Sequence, residues 1–355
     1  MTLGSETDLQ GRYRDAKLEK LAGATYTPKL LADFVAEAMV EAYGPILRSR
    51  NRIRIMDPAA GHGQLLISLL EVLLREFDGE VDVCGYETDI EALTVAKRTL
   101  ADRFPNVHLV LHPEDFLEAS MEHSSAFDNN TLFQDSDNLA FDLIIANPPY
   151  VRTQMLGKER ASQLRNFFQL SGRVDLSHAF VVAMSRVLAG DGVLGLIISN
   201  SFMTTKSGAP VRSAIRERFR IRQVWDLGDT KLFDAAVLPS VIILSGRMGD
   251  QLPAPSFGSI YEVKGTSRIS AKDPLDAVRK AGIVEVPDGR CFSVKHGQLN
   301  TPDAPDCVWR LTDEHVDEWI RKVNSHTWKR FSDVGAIRVG VKTCADSVFI
   351  KSDWR

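Results

Sequence analysis

Residues 141–150 read Phe-Asp-Leu-Ile-Ile-Ala-Asn-Pro-Pro-Tyr, and the rest of the chain is best interpreted from this stretch. Its first six residues are apolar apart from one aspartate, as expected of a buried central strand. The two prolines cannot continue a sheet, because proline has no N–H and a fixed φ. The strand therefore ends at Ala146. A stiff loop comes next and presents the Asn147 carboxamide, a proline carbonyl and the Tyr150 ring at a carboxyl strand end, where open α/β sheets bind ligands.

Further apolar runs of strand length lie on both sides of this stretch. The predicted strands are 52–57, 81–86, 107–111, 141–146, 193–199, 221–227 and 238–244. Helical patterns separate the early strands, which favours parallel pairing through crossover connections. We therefore predict an α/β fold with a doubly wound, seven-stranded, mostly parallel sheet.

Composition and charge narrow the class of protein. The 355 residues are 44% hydrophobic and 25% charged, with a formal net charge of −4, which is ordinary for a globular protein. The charge excludes a generally basic protein, although a local basic face could still bind nucleic acid. The four scattered cysteines indicate a reducing compartment. Neither a secretory signal nor a membrane-length apolar run is evident, so we predict a cytoplasmic protein with no membrane partner.

The length and a change of character near residue 250 predict two domains. Pro253, Pro255 and Gly258 mark the boundary between residues 1–250 and residues 251–355. The second part mixes short β-like runs with one helix over 313–323, which predicts a small α+β region. It ends in a hairpin-like run that would begin a new sheet. This incomplete pattern indicates either a longer protein or a partner chain that supplies the rest.

Two loops carry residues that suit a ligand. Thr27 is a good N-cap residue and Pro28 suits the first helical position, although an ordinary capped amphipathic helix explains both. Asp57 ends the first predicted strand and is followed by a loop containing Gly61 and Gly63. Two glycines allow the backbone to turn tightly against a ligand, with the N-terminus of the next helix facing it.

Acidic residues also end the second and third strands. Glu87 stands where a carboxylate can hold the two hydroxyls of a ribose, although most glutamates are simply solvated. Asp115 could accept a hydrogen bond from the exocyclic amine of adenine while Phe116 packs against the ring. Alternatively, Asp115 only caps a turn.

Two basic stretches come after the central strand. The first, over 152–173, contains Arg152, Lys158, Arg160, Arg165 and Arg173 against a single glutamate. The second, over 204–222, holds six basic residues against one glutamate, and its first two are Lys206 and Arg212. Such stretches beside an active-site loop suit a phosphate backbone. A solvated helix face is the rival interpretation.

Taken in order, these strand-end motifs resemble those of the amino-methylating DNA methyltransferases. The motifs are Thr27-Pro28, Asp57–Gly63, Glu87 with Asp89, Asp115-Phe116 and Asn147–Tyr150. More narrowly, the chain is similar to the gamma-ordered N6-adenine methyltransferases of restriction–modification systems, in which the cofactor domain precedes a DNA-recognition domain. The resemblance implies a class I methyltransferase fold and S-adenosylmethionine as methyl donor, with S-adenosylhomocysteine as product and no metal. Double-stranded DNA is the implied substrate, and a recognition or restriction subunit is the implied partner.

The resemblance also assigns roles to individual residues. The implied cofactor contacts are Thr27, Pro28, Asp57, Ala59, Gly61, Gly63, Glu87, Asp89, Ile90, Asp115, Phe116 and Asn147. Asn147 and Pro148 would accept the two N–H groups of the adenine amine, while Tyr150 and Phe233 would flank the flipped base. His62 departs from the pattern, because the family usually carries a small or hydroxyl residue there.

Rival functions share parts of this pattern. N5-glutamine protein methyltransferases also use Asn-Pro-Pro-Tyr, since an amide nitrogen poses the same chemical problem. An RNA-base methyltransferase is a further alternative, and cytosine-N4 enzymes usually begin this motif with serine. From another class, a non-catalytic methyltransferase-like subunit would bind DNA or partners without turnover. The Thr27-Pro28 start, the basic stretches and the C-terminal region favour DNA.

Overall fold

The computed structural model describes residues 27–122, 140–149, 157–170, 176–232, 238–247, 254–302, 304, 307–311 and 314–335. Four of the predicted site residues lie outside these ranges: Arg152, Tyr150, Arg173 and Phe233. The predicted C-terminal hairpin also lies outside them.

Eleven strands of the described residues form one sheet. They are β1 (Arg52–Asp57), β2 (Glu80–Tyr86), β3 (His108–His112), β4 (Phe141–Ala146), β5 (Leu188–Ser199), β6 (Arg220–Asp226), β7 (Pro239–Ser245), β8 (Ser256–Val263), β9 (Ile269–Ser270), β10 (Gly282–Glu285) and β11 (Cys291–Gln298). Their order across the sheet is β3-β2-β1-β4-β5-β7-β6-β8-β11-β10-β9. The first seven strands in this order confirm the predicted doubly wound sheet. The neighbouring strands β3, β2, β1, β4 and β5 pair in parallel, and β7 is antiparallel to its neighbours β5 and β6.

Helices connect these strands on both faces. Those of the described residues are α1 (Lys29–Leu47), α2 (Gln64–Leu73), α3 (Ile90–Arg103), α4 (Phe116–Glu122), α5 (Lys158–Phe168), α6 (Leu176–Val187), α7 (Ser201–Thr204), α8 (Ala209–Arg218), α9 (Pro274–Ala277), α10 (Glu314–His326) and α11 (Phe331–Val334). A short 3₁₀ turn, Lys206–Gly208, precedes α8. None of the helices in the described ranges has the length and apolar character needed to cross a membrane.

The central strands are buried on both faces, which explains why their sequences are apolar without alternation. Successive residues of β4 belong to different apolar clusters. Ile145 packs in the cluster that contains α1 and α2, whereas Ile144 packs in the cluster that contains α6 and α8. Because every side chain of β4 is buried, the strand is fixed on both sides and positions the Asn147 loop firmly.

Four additional strands, β8 to β11, extend the sheet beyond the predicted seven. β8 pairs in parallel with β6, with Asp226 opposite Ser259, and β11 pairs antiparallel with β8. The chain from Met1 to Thr312 forms one compact unit, and Asp313–Arg355 forms a second. The predicted boundary at residue 250 therefore falls inside a continuous sheet. Its functional meaning, as the point where a recognition region begins, stays a prediction.

The second compact unit contains α10, close to the helix predicted over 313–323. Its apolar residues Val316, Trp319 and Val323 follow helical spacing and are exposed. Trp328, just beyond the helix, is exposed as well.

Candidate active site

Four polar residues stand at one edge of the parallel part of the sheet. Asp57 ends β1, Glu87 follows β2, Asp115 follows β3 and Asn147 follows β4. Because β3, β2, β1 and β4 run in parallel and are neighbours, their carboxyl ends meet at the same edge. The sheet thus brings together residues that lie up to 90 positions apart in sequence, counted from Asp57 to Asn147.

Asp57 is fully buried beneath the glycine loop. Its Oδ1 accepts a hydrogen bond from the Ala59 N–H at 3.0 Å. Its Oδ2 is buried and accepts none from the residues that the structure describes. Burial raises the pKa of Asp57 to about 7, with the Ala59 hydrogen bond opposing this rise and the nearby Glu87 charge adding to it. A buried carboxylate with an open acceptor atom is suited to a ligand that brings a cation or donor.

The loop after Asp57 makes a tight turn that leads into α2. Gly61 has a φ of +51° and Gly63 a φ of +82°, both in the left-handed region that favours glycine. Gly63 also lies close to α3, where an added Cβ would come within 3.2 Å of the Ala96 Cβ. The Ala60 N–H donates to the Tyr86 carbonyl at 2.8 Å, which ties the loop to the end of β2.

Glu87 links this loop to the next one. One carboxylate oxygen accepts from the Gly61 N–H and the other from the Asp89 N–H, both at 2.8 Å. Asp89 itself caps α3, because its Oδ1 accepts from the N–H groups of Glu91 and Ala92. Its predicted contact with the cofactor stays a prediction. The next residue, Ile90, is 69% exposed, so an apolar side chain is presented beside these carboxylates.

Asp115 is fixed by two partners. Its Oδ1 accepts from the Leu117 N–H at 2.7 Å, and its Oδ2 accepts from Arg160 of α5. Arg160 was predicted to contact nucleic acid, but here its guanidinium pairs with Asp115 and with Glu118 at 3.2 Å. The Phe116 ring is buried, with its centroid 5.3 Å from that of Tyr86.

Asn147 is only 8% exposed, and its Nδ2 donates to the Thr27 Oγ1 at 3.0 Å. This contact corrects the predicted role of Thr27 as helix cap. The structure places Pro28 at the N-cap of α1, with no side-chain capping bond. The Pro28 carbonyl accepts from the N–H groups of Leu31 and Ala32, both at 3.0 Å. Thr27 is therefore directed at the asparagine carboxamide.

Comparison with known proteins agrees with this arrangement. The model of the Eco57I restriction-modification methylase family matches residues 82–233. The Type II methyltransferase M.BanIII of Aneurinibacillus aneurinilyticus is 35% identical over 349 residues, which cover 95% of this chain and 59% of that protein. The chain belongs to the restriction–modification methylases. The Type II methyltransferase M.PaeR7I of Pseudomonas aeruginosa is 27% identical, covering 92% of this chain and 56% of the relative.

A solved DrdV–DNA complex shares the fold of this restriction–modification methylase. Its TM-score is 0.55 at 14% sequence identity, and the match covers 81% of this chain and 31% of the other. The present chain thus spans a little over half the length of the curated relatives that it matches.

The residues at the carboxyl edge of the parallel strands fit S-adenosylmethionine, the cofactor that the resemblance implies. The open Oδ2 of Asp57 can take a donor, and the tight loop at Gly61 and Gly63 leaves backbone close to any group bound there. The exposed Ile90 side chain offers an apolar contact for a heteroaromatic ring. Within the described ranges, no group of three or more His, Cys, Asp or Glu residues is arranged to hold a metal. The prediction of metal-free chemistry is not tested by that observation.

The predicted DNA-contacting residues have different environments in this methylase. Lys158, Arg165 and Lys206 are exposed and remain candidates. Arg212 is 1% exposed and donates from its Nη1 to the carbonyls of Phe202 at 2.6 Å and Thr205 at 2.9 Å. The prediction that Arg212 contacts nucleic acid is therefore wrong for this conformation, because its guanidinium holds the α7–α8 connection together inside the protein.

Sequence reasoning missed two further polar residues at the same edge of the methylase. Asn200 follows β5 and Asp226 ends β6, and the Asn200 Nδ2 donates to the Asp226 Oδ1 at 2.9 Å. The signal that identified Asp57, a polar residue at the end of an apolar run, is present at both positions and could have found them.

Proposed function

We propose that this chain transfers a methyl group from S-adenosylmethionine to the exocyclic N6 amine of adenine in DNA, after the base has flipped out of the duplex. The reaction would serve a restriction–modification system. Family membership supports the proposal, and the observation that carries it is the buried carboxamide of Asn147, set by Thr27 at the end of β4. Because the chain covers only part of its relatives, the activity of the whole protein belongs to the proposal.

The cofactor would lie along the ends of β1, β2 and β3. Asp57 and the glycine loop would hold its methionine and ribose portions, Glu87 its ribose hydroxyls, and Asp115 with Phe116 and Ile90 its adenine. When bound, it supplies an electrophilic methyl group. Asp115 and Arg160 are already paired, so we expect this pair to loosen or rearrange when an adenine amine approaches the Asp115 carboxylate.

Asn147 and Pro148 would make the target amine reactive. The adenine amine is a poor nucleophile because its lone pair is delocalised into the ring. If the Asn147 Oδ1 and the Pro148 carbonyl each accept one N–H, the nitrogen moves toward sp³ geometry and its lone pair becomes available. Such catalysis depends on orientation and on fixed dipoles rather than on a strong base. The Thr27 hydroxyl would hold the carboxamide so that its oxygen faces the amine.

The target base must also leave the duplex, at a cost of a few kcal/mol. Tyr150, which lies outside the described residues, would return about 1–3 kcal/mol by stacking on the base. Phe233, also outside them, would contact its other side or its edge. Lys158, Arg165 and Lys206 would bind phosphates nearby, and the resemblance also implies a recognition or restriction subunit as partner.

Replacing Thr27 with valine tests its positioning role. Valine keeps the side-chain shape but removes the acceptor for the Asn147 Nδ2, and a lost hydrogen bond of this kind is worth about 0.5–1.5 kcal/mol. We expect kcat to fall by about three- to tenfold, while the KM for DNA changes less than twofold. Thr27→Ser, which keeps the hydroxyl, should restore most of kcat. Equal activity of the valine and wild-type proteins would contradict the positioning role.

Methyl transfer itself is tested with labelled S-adenosylmethionine and unmethylated duplex DNA, followed by nucleoside analysis by mass spectrometry. We expect N6-methyl-2′-deoxyadenosine as the labelled product. Label in N4-methylcytosine would favour a cytosine enzyme. Parallel reactions in which RNA or a protein glutamine is labelled and DNA is not would favour the other rival enzymes. Cofactor and DNA binding without any transfer would favour the non-catalytic subunit. The Type II methyltransferases that match most of this chain favour none of these rivals.

A further inference from the structure

A second concave site lies at the carboxyl edge of the sheet, beyond the strands that carry the candidate active site. This cavity has a volume of about 650 Å³ and is lined by residues at the ends of β5 and β6 and on one face of β8 and β11. We call it the β6–β8 pocket, and its principal lining residues are Asn200, Asp226, Tyr261, Lys295, Trp309 and Arg310. Its size is within the range of ligand sites, which span about 300–1,000 Å³.

The floor of the pocket is a fixed polar cluster centred on Asp226. This buried carboxylate accepts from the Asn200 Nδ2 at 2.9 Å, from the Gly228 N–H at 3.1 Å and from the Tyr261 hydroxyl at 2.5 Å. Burial and the bond to Asp226 raise the pKa of Tyr261, so its hydroxyl stays a donor. The three donors satisfy Asp226 and hold both Asn200 and the Tyr261 ring in place.

The strand register shows that Lys295, the charged residue at the rim of the pocket, lies on the same face of the sheet as Asp226. Asp226 pairs with Ser259 in β8, and Ser259 pairs with Lys295 in β11, so these three side chains lie on one face of the sheet. Lys295 is exposed and forms no ion pair among the described residues. Because Lys295 has no ion-pair partner there, its charge is available to an anionic ligand.

The opposite wall is apolar and equally well fixed. Trp309 donates its backbone N–H to the Met203 carbonyl at 2.9 Å, and its ring meets the Phe202 ring edge-on at 5.3 Å. Val308, next to it, is exposed in the pocket. Tyr261 is 40% exposed. An aromatic face, an apolar wall and a lysine at the rim match the parts of a nucleotide, in which a flat base is joined to a phosphate.

The position of the pocket relates it to the candidate active site. Asn147 follows β4 and Asn200 follows β5, and these two strands are parallel neighbours, with Ala146 opposite Leu196. Adjacent strands are about 4.8 Å apart, and by this register Asn200 lies three residues beyond the position level with Asn147, so the Asn200 end of the pocket is next to the strand that carries the candidate active site. We propose that the β6–β8 pocket binds a second nucleotide of the DNA substrate, not the target adenine, with its base against Tyr261 and its phosphate on Lys295.

This proposal rests on the proposed function, because it takes DNA to be the substrate. Replacing an aromatic side chain that stacks on a base typically weakens binding about 5- to 100-fold. One phosphate contact adds about one to the slope of log Kd against log salt. The ring and the lysine therefore make separable contributions that different measurements report.

The lysine contact is tested by measuring the affinity for a mixed-sequence DNA duplex over a range of salt concentrations, with S-adenosylhomocysteine present. Lys295→Ala should weaken binding several-fold and lower the slope of log Kd against log salt by about one. The matched control is Lys272→Ala, which removes another exposed lysine of the same compact unit, outside the pocket. The control should leave the slope unchanged.

The base contact is tested by photo-crosslinking the same duplex with 5-iododeoxyuridine in place of thymidine. We expect a crosslinked peptide that contains Tyr261. Tyr261→Phe keeps the ring and should retain binding, whereas Tyr261→Leu should bind about 5- to 100-fold more weakly. Because the leucine variant could also unfold, its thermal melting is measured alongside, and the exposed Lys295 provides the independent result.

The outcomes separate this inference from the proposed function. If the wild-type protein methylates DNA but Lys295→Ala behaves like Lys272→Ala and no crosslink forms at Tyr261, the pocket proposal alone is overturned. A changed salt slope without the crosslink overturns the base contact, and with it the proposal. If the crosslink and the slope change are found without methyl transfer, the pocket proposal stands and the proposed reaction fails. Absence of any DNA binding overturns both.

Discussion

Replacing Asn147 with alanine is expected to lower the single-turnover rate of methyl transfer by about 10²–10³-fold, the effect typical of losing one fixed dipole at a reacting group. The Asn147 carboxamide is held by the Thr27 hydroxyl at 3.0 Å, so the dipole that alanine removes is one that is fixed in position. The affinity for S-adenosylmethionine should change less than about threefold, since most of the proposed cofactor contacts lie on β1 to β3. Rapid-quench kinetics and calorimetric titration measure the two quantities separately.

Asn51→Ala provides the matched control. Asn51 is an exposed asparagine just before β1, at the opposite edge of the sheet from Asn147. The control variant should retain the wild-type transfer rate and melting temperature. If Asn147→Ala turned over at nearly the wild-type rate while remaining folded, the proposed activation of the amine would have to be abandoned. A loss of cofactor affinity as large as the loss of rate would instead assign Asn147 to cofactor binding.

Replacing Asp57 with asparagine is expected to remove a pH dependence of cofactor binding. Burial raises the pKa of Asp57 to about 7, so the free protein holds this carboxyl half protonated near neutral pH. We expect the ammonium of the methionine portion to favour the ionised form. Wild-type affinity should therefore fall about fivefold as the pH is lowered from 7 to 6, because the carboxyl must lose a proton before binding. Asp57→Asn should bind more weakly at pH 7 and show little change over the same interval.

Asp57→Asn is expected to weaken cofactor binding but to stabilise the folded protein above pH 7. The pKa of Asp57 is higher in the folded protein than its ordinary value of 3.8, so the folded state holds the proton more tightly than the unfolded state. The free energy of unfolding therefore decreases as the pH rises from about 4 to 7 and then levels off. Above pH 7, Asp57→Asn should be more stable than the wild type, on the order of a few kcal/mol. Denaturant titrations at pH 5 and pH 8 measure this, and a destabilised variant at pH 8 would contradict the assignment.

The central strands could be predicted from sequence because each carries its own signal. The run before Asn147 is apolar throughout and stops at two prolines, and β1 and β4 have the predicted bounds. Thr27 shows where such local rules fail. The capping rule treats its hydroxyl as a partner for the next backbone turn, whereas its partner Asn147 lies 120 positions further along the chain.

Arg212 shows a different limit. Counting charges in 204–222 marks a basic stretch, but it does not show which side chains point outward. Arg212 follows Val211 and precedes Ile215 by three positions, so it lies on the apolar stripe of α8. Helical spacing could have revealed its burial. The pairing of Arg160 with Asp115, by contrast, joins residues 45 positions apart and has no local signal.

The four additional strands, β8 to β11, are the largest part of the fold that local sequence patterns could not predict. Pro253 and Pro255 mark a connection, but nothing nearby shows that the strand after them pairs with β6. This pairing has a practical consequence for joining parts of related methylases in one chain. A chimaera joined at residue 250 would strip β8 from β6 and expose a long, unpaired strand edge, which invites aggregation. A junction near residue 312, between the two compact units, would leave β1 to β11 with their native neighbours.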